Sequence, residues 1–388
     1  MNRVYRYRLY PTCKQADSLN AMLRDHCTIY NAALQERRDA WQTAGISISY
    51  GSQSAQLRDI RIELPEQGRW SFSSQQQTLL RLNKSFIAFF RRVRNREVPG
   101  YPRFKPWQRF STVTFINGDG ASWLGERVRL QGVGHIKVKL HRPVRGTVKQ
   151  ISVTREGRHW HVNVICVNVS EQIQPLTGAV IGLDRGVTHL IADSDGGFAP
   201  NPRHVKKTAA RLKTAQQALA RCKRGSHRRK KVVAKVAVQH RKVRDTRRDY
   251  LHKLSRQIVD KNDLIAMEDL QTANMTRRPE PRPDPDSPGQ FLPNGSAAKA
   301  GLNKSILDAG WRILQDMITY KAESAGTELI LVNPRNTSRT CHACGYVAAD
   351  NRDGEKFKCL RCGYETHADT NAALNILGLG LSLHADAA

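Results

Sequence analysis

Ala179-Val-Ile-Gly-Leu-Asp184-Arg-Gly-Val187 is the stretch on which the reading of the fold turns. Ala179–Leu183 is a short apolar run that stops at a carboxylate. Such a run reads as a strand covered on both faces, the kind found inside a sheet that helices sandwich. Outward from it, Arg185-Gly186 turns into a second strand over Thr188–Asp193. Leu264-Ile-Ala-Met267 repeats the pattern and is followed by Glu268. Glu328–Val332 reads as a further strand, and 301–323 and 370–378 as helices, with Asp369 just before the last one. Strands and helices in this order predict a mixed sheet flanked by helices.

The first 170 residues carry a different pattern. Tyr5, Tyr7 and Leu9 alternate with Arg6 and Arg8, which predicts a strand. Thr12-x-x-Gln15 after Pro11 predicts a capping box, with Leu19, Met22, Leu23, Cys27, Tyr30 and Leu34 at helical spacing behind it. A second helical pattern runs from about Ser73 to Val93, and the helical block ends near Pro99-Gly100. The period then returns to two: Val128 and Leu130, Ile136 to Leu140, Ile151 and Val153, Trp160 to Cys166. This predicts a meander of antiparallel hairpins closing into a small barrel, with residues 1–10 as one stave and the helical block inserted in it.

The chain has 63 Lys and Arg against 34 Asp and Glu, a net charge of +29. Like charges repel in a compact state, so an excess of this size points to a polyanionic partner, nucleic acid first. Residues 202–260 alone hold 20 Lys and Arg against three Asp, and read as a long charged helical stretch able to line a nucleic-acid channel or to stand as a solvated helix. Tyr101, Arg103, Phe104, Lys105, Trp107 and Arg109 interleave rings with cations, a mix suited to stacking and phosphate contact unless the rings are core. The N-terminus lacks the apolar stretch of a secretory signal, and no run nears the ~20 apolar residues of a membrane span, so the expectation is a cytoplasmic protein with no membrane partner. Residues 279–298, rich in Pro, Gly, Ser and Asp, read as a mobile loop. Neither a helix-turn-helix nor a multi-finger array is apparent in the sequence.

Cys341-x2-Cys344 and Cys359-x2-Cys362 lie 14 residues apart, each pair followed by glycine (Gly345, Gly363). Four thiolates at this spacing suit a closed tetrahedral Zn2+ site, structural because no coordination position stays open. Four reduced thiols or a redox pair would be the bland alternative, and His342 reads as a solvated neighbour. Asp184 and Glu268 each end a buried strand, where a rigid sheet can aim a carboxylate into a cleft. Three convergent carboxylates, with Asp369 as the third, repel one another unless divalent cations neutralise them, which is the arrangement of two-metal phosphodiester hydrolysis. Taken singly, they also suit a turn, a surface charge and a helix N-cap. Asp193, Asp195 and Asp269 are nearby decoys, the first two expected in a hairpin turn.

Ile-Gly-Leu-Asp184-Arg-Gly-Val, Met-Glu268-Asp-Leu and Asp369-Thr-Asn-Ala-Ala together resemble the three RuvC-type nuclease motifs of the TnpB family, which small bacterial insertion sequences encode and which is similar to the type V CRISPR effector nucleases. The likeness extends to Phe89-Phe-Arg-Arg, Gly100-Tyr-Pro-Arg-Phe-Lys105, Gly301 to Trp311 and Asn336-Thr-Ser-Arg-Thr-Cys341. It implies a multidomain α+β and α/β chain: a wedge-type β-barrel (1–10 and 101–172) with an inserted helical recognition domain (11–100), then an RNase H-like RuvC domain (178–388) with an inserted zinc ribbon (338–365). It implies an RNA-guided DNA endonuclease in which Asp184, Glu268 and Asp369 are catalytic and hold Mg2+. The implied partners are a noncoding guide RNA, one protein per RNA, and target double-stranded DNA read beside a short adjacent motif, in a bacterial cytoplasm and at the nucleoid. Gln76 and Gln77 fall where the family places contacts to that motif, and Tyr101, Arg103 and Lys105 are further nucleic-acid candidates.

Two departures stand out. Ser111-Thr-Val-Thr-Phe115 is spaced differently from the family's Ser-Phe, and the insert at 279–298 is longer than the family linker. An RNA-guided repressor or transposition regulator on the same scaffold competes with the nuclease, but its mark would be loss of an acid. A transposase joining DNA ends finds no obvious extra nucleophile in the sequence to support it, although the acids alone could join strands.

Overall fold

The alternation at the N-terminus does bury one face: Tyr5, Tyr7 and Leu9 are fully buried while Arg8 is exposed. They lie on β1 (Arg3–Tyr10). The computed structural model describes residues 1–287 and 289–387 and falls into two units, Met1–Ser170 and Glu171–Ala388.

In the first unit β1 joins β2 (Thr112–Asn117), β3 (Gly120–Trp123), β4 (Arg127–Leu130), β5 (Gly134–Lys139), β6 (Thr147–Glu156) and β7 (His159–Val167) in a closed barrel of order β1-β5-β4-β3-β2-β6-β7. The first strand closes it, pairing Leu9 with Val138 on β5 and Tyr5 with Val164 on β7. The expected meander is antiparallel except at one place, where β2 and β3 run parallel (Ile116 opposite Gly120). Gly118 and Gly120, at φ 92° and 75°, make this link. A Cβ on Gly120 would stand 2.0 Å from the Cβ of Ser71, so glycine there also admits the helical block.

That block is α1 (Cys13–Ala44), α2 (Tyr50–Glu63) and α3 (Phe72–Arg94), lying in the chain between β1 and β2. The capping box forms: Thr12 Oγ1 accepts the Gln15 N–H, and Gln15 Oε1 accepts the Thr12 N–H. The second helix has no counterpart in the sequence reading, because only Gln53 and Leu57 of it are buried and no apolar stripe marks it.

The second unit holds a five-stranded sheet of order β10-β9-β8-β11-β14. Its strands are β8 (Val180–Asp184), β9 (His189–Asp193), β10 (Phe198–Pro200), β11 (Leu264–Glu268) and β14 (Glu328–Val332). β11 runs parallel to β8 and β14, whereas β9 is antiparallel to β8 and β10, so the sheet is mixed as expected. One face packs on α5 (His227–Lys261), α7 (Ser296–Ala309) and α8 (Trp311–Ala325) through Leu251, Ile306 and Leu314. The other face carries α9 (Ala368–Ala387), whose Ile376 meets Ala266 and Val332. α9 can lie this close because of glycines: a Cβ on Gly182 would sit 2.1 Å from the Ala373 carbonyl oxygen, and one on Gly380 2.6 Å from the Ala266 Cβ.

Three expectations are corrected here. The charged stretch 202–260 is two helices, α4 (His204–Ala220) and α5, because Gly225 at φ 83° precedes the Ser226 N-cap. The helix expected over 301–323 splits at Gly310, which takes φ 75° with Arg247 too near for an easy Cβ. The segment 279–298, of which Pro288 lies outside the described residues, follows α6 (Thr272–Met275) and includes a two-residue ladder, β12 (Arg282–Pro283) with β13 (Phe291–Leu292), before α7 begins. Between β14 and α9 the chain forms a small sheet of β15 (Arg352–Asp353), β16 (Lys356–Lys358) and β17 (Glu365–His367). Among the described residues no helix is long and apolar enough to cross a membrane.

Candidate active site and four-cysteine cluster

Parallel pairing of β8 with β11 sets Leu183 opposite Met267, so the next residues, Asp184 and Glu268, end neighbouring strands on the same face. The carboxyl ends of parallel strands are where open sheets of this kind present ligand sites. Asp369 joins them from the first turn of α9, which the close approach over Gly182 holds against β8. The structure therefore brings together three acids that the sequence places far apart.

Their electrostatics are those of like charges in a poorly hydrated place. Burial, and then the charges of Glu268 and Asp369, push the Asp184 carboxyl up to about 7, against the opposing pull of Arg352 and the Arg185 N–H. Burial likewise raises Glu268, opposed by the Thr337 hydroxyl and by Arg185. Oxygen donors carrying this much mutual repulsion fit a hard divalent cation and nothing apolar.

Four supporting residues escaped the sequence reading. Thr337 Oγ1 donates to Glu268 Oε1 at 2.7 Å. Arg352, on β15, pairs with Asp369 Oδ1 at 2.8 Å. Asn371 and Asn375, one turn apart on α9, hold the entry to the cysteine segment: the first accepts the His342 N–H and donates to the Thr340 carbonyl, the second donates to Thr337 and Thr340. Their signal was present in Asn336-Thr-Ser-Arg-Thr and Asp-Thr-Asn-Ala-Ala-Leu-Asn, but nothing local says which backbone each amide meets. Arg185, buried beside Asp184, donates to the Glu268 carbonyl oxygen and to Gln315 Oε1, locking the end of β11 to α8. Of the decoys, Asp193 accepts the Gly197 N–H in the β9–β10 turn, and Asp269 is exposed.

The cysteines converge as their spacing requires. Cys341 Sγ lies 3.7 Å from Cys362 Sγ, and Cys344 Sγ 3.6 Å from Cys359 Sγ. A tetrahedron of Zn–S bonds of about 2.3 Å has edges of ~3.8 Å, so this donor set fits zinc. Gly345 and Gly363, at φ 73° and 76°, make matching knuckles in which each glycine N–H returns to its first cysteine carbonyl. Burial resists ionisation of Cys359, but the N–H groups of Cys362 and Arg361 bring its thiol down to about 6. His342 is exposed and outside the four-sulfur group.

The nucleic-acid candidates lie in the first unit. Gln76 is half-buried and donates to Ser54 Oγ; Gln77 is half-buried beside it. Tyr101 and Arg103 are exposed, with the Tyr101 ring set edge-on against Phe86 and Phe89. Lys105 is partly used internally: Asn31 clamps its backbone, and its ammonium lies 4.4 Å over the Tyr30 ring. In the second unit, α4 buries no residue at all, and α5 buries none before Val243.

Three family models match the sequence. One described as "Probable transposase" covers residues 164–278, one described as "Cas12f1-like, TNB domain" covers 311–376, and one described as "Helix-turn-helix domain" covers 1–45. Despite that last description, residues 1–45 form one strand and one 32-residue helix. A protein of Streptomyces pristinaespiralis named "Putative RNA-guided DNA endonuclease" is 31% identical and aligns over 99% of this chain and 91% of its own. InsQ of Escherichia coli (strain K12), of the same designation, is 28% identical over 97% of this chain and 92% of its own. Cas12f1 of Sulfoacidibacillus thermotolerans, a CRISPR-associated endodeoxyribonuclease, is 30% identical over 54% of this chain and 49% of its own. A solved complex of Cas12f1 with sgRNA and target DNA aligns over 97% of this chain and 99% of that chain at 16% identity, with a TM-score of 0.36.

Proposed function

The chain belongs to the TnpB family, and on that premise we propose that it is an RNA-guided DNA endonuclease. In this reading it binds a noncoding guide RNA, recognises a short motif beside its double-stranded target and hydrolyses phosphodiesters at one carboxylate site. The observation that carries the reading is the convergence of Asp184, Glu268 and Asp369, with Asp184 pushed up to about 7 by burial and by the other two. A repelling trio at a strand end serves no purpose in packing; it suits cations and a polyanionic substrate.

Asp184, Glu268 and Asp369 would hold Mg2+, which when bound supplies an activated water and neutralises charge on the leaving oxygen. Around them, Thr337 orients Glu268 through its hydroxyl, and Arg185 fixes the end of β11. The Arg352 guanidinium beside Asp369 offers donors to a phosphate oxygen. Cys341, Cys344, Cys359 and Cys362 would hold a structural Zn2+ that keeps Arg352 in place. Residues 1–10 and 101–172 are read as the wedge barrel, 11–100 as the recognition helices, 178–388 as an RNase H-like RuvC domain and 338–365 as its zinc ribbon. Gln76, Gln77, Tyr101, Arg103 and Lys105 are read as nucleic-acid contacts, Lys105 the weakest of them because its charge already meets Tyr30.

The test begins with sequencing the RNA that copurifies with the full chain and programming a target from it. In Mg2+ the parent cuts that target, while Glu268→Gln binds it and cuts at least ~10²-fold more slowly. Asp269→Asn, one residue along, should cut normally. Cleavage by Glu268→Gln at the parent's rate would show the trio to be misassigned. A parent that binds the guided target but never cuts it, whichever divalent ion is supplied, would leave the repressor reading in its place. Binding should also weaken ~10³–10⁵-fold between about 50 and 200 mM salt if roughly 6–10 phosphates are contacted.

A further inference from the structure

Two imidazoles stand beside Asp369, one of them on β9, which β8 separates from Glu268's strand. His189 begins β9, His367 ends β17, and their donor atoms and the Asp369 carboxylate all lie within 4.8 Å of one another. His189 Nδ1 is buried and meets no hydrogen-bond partner. His367 Nδ1 accepts the Asp369 backbone N–H at 3.2 Å, which leaves Nε2 as the nitrogen open to a ligand. Arg352 takes Asp369 Oδ1, and among the described residues no hydrogen bond takes Oδ2. The Phe198 ring lies against both imidazoles, with centroids 4.6 Å and 4.7 Å away, and holds their planes without offering either a polar atom.

We infer that His189, His367 and Asp369 form a binding site for a first-row transition dication, Mn2+ being the probe of choice. The inference rests on the proposed role of Asp369 as a cation ligand and is independent of the role given to Glu268. A purely carboxylate set suits Mg2+, which prefers oxygen and keeps its waters. Two imidazoles and one carboxylate shift the preference toward ions that accept nitrogen donors. A buried ring nitrogen with no hydrogen-bond partner is costly unless something meets its lone pair, and a metal ion does so directly. Asp369 would then be shared between the strand-end trio and this nitrogen-bearing set, so that one carboxylate links ion choice to the candidate active site.

The measurement is Mn2+ binding to the zinc-loaded full chain, read by pulsed electron paramagnetic resonance for directly bound nitrogen and by competition with Mg2+. The parent should show imidazole nitrogen coupled to Mn2+. His189→Gln should weaken Mn2+ at least about tenfold and leave Mg2+ affinity unchanged, and the double variant His189→Gln, His367→Gln should abolish the nitrogen signal. A parent spectrum without bound nitrogen overturns the inference without any variant having to fold. Equal loss of Mn2+ and Mg2+ in His189→Gln would also overturn it, since the histidine would then only position Asp369. Glu268→Gln should keep the nitrogen-coupled Mn2+. If that variant nonetheless cuts DNA at the parent's rate, the nuclease assignment of the trio fails while this site stands.

Discussion

Buried polarity is handled in two ways in this chain. In Met1–Ser170, His26 is fully buried: its Nδ1 donates to the Met22 carbonyl, and its Nε2 lies 2.9 Å from the Ser74 hydroxyl. Nearby, Arg37 donates to Gln53 Oε1 and Asn83 Oδ1, and Gln53 in turn donates to Glu36 and to the Ala33 carbonyl. Apart from Arg37 Nη2, which is buried without a partner, the donors named meet acceptors, and the cluster ties α1 to α2 and α3. In Glu171–Ala388, Asp184, Glu268 and Asp369 face one another, with one hydroxyl and one guanidinium among their partners. A matched network stabilises the fold it sits in, whereas an excess of one sign works against the fold and must be offset by something that binds. The difference separates a structural polar core from a candidate active site with no appeal to composition.

The largest expected effect tests the acidic side. Asp184→Asn should abolish guided cleavage, by at least ~10²-fold, and yet leave the unit as stable as before or more so. In Mg2+-free buffer above neutral pH the gain should be roughly 1–3 kcal/mol, because Asp184, normally near 3.8 and raised to about 7 by burial and its acidic neighbours, must otherwise ionise against them. The sign follows: the raised pKa favours the fold at low pH, and this advantage is lost as pH rises through about 7. Denaturant unfolding of parent and variant at two pH values measures it. A variant less stable than the parent would mean that the trio is part of the structural core.

The opposite sign is expected in the first unit. Burial lowers His26 from 6.5 to about 4. Its neutral ring therefore contributes stability that is present above about 6.5 and lost as pH falls toward 4, of the order of 3 kcal/mol in all. Amide hydrogen exchange resolved over residues 1–170 at pH 7 and pH 5 should show this loss, and His26→Gln should flatten it. A parent whose α1 and α3 keep the same protection factors at both values, after correction for the pH dependence of intrinsic exchange, would erase the contrast.

The smallest effect is local. Cys359→Ser should lose the zinc, measured per chain by elemental mass spectrometry, and loosen the segment that carries Arg352 while leaving the five-stranded sheet intact. Full metal stoichiometry in that variant would remove zinc from the account. Partial slowing of cleavage with intact target binding would show that Arg352 is held from the cysteine cluster.

What the amino-acid order determined by itself is local and periodic. The alternation Tyr5, Tyr7, Leu9 specifies a strand with one buried face, and Thr12 with Gln15 specifies where α1 begins. Two knuckles with glycine after each specify four convergent sulfurs, a set that could hold one ion. Each of these needs only neighbours within a few residues, so backbone geometry and side-chain period settle it. The apolar run ending in Asp184 and the run ending in Glu268 also announced buried strands, and hence candidate carboxylates at a sheet's rim. Tertiary structure alone decided that β8 and β11 are adjacent, parallel and in register, and that register is what makes two acids one site. It alone brought Thr337 to Glu268, and Arg352, His189 and His367 to Asp369, across segments with no shared period. It also broke the expected helix at Gly310 and set β2 parallel to β3, where close packing and positive φ outweighed local preference. The physical reason is range: secondary structure answers to the burial of one face, whereas a site answers to which distant chain ends the packed sheet and α9 leave side by side.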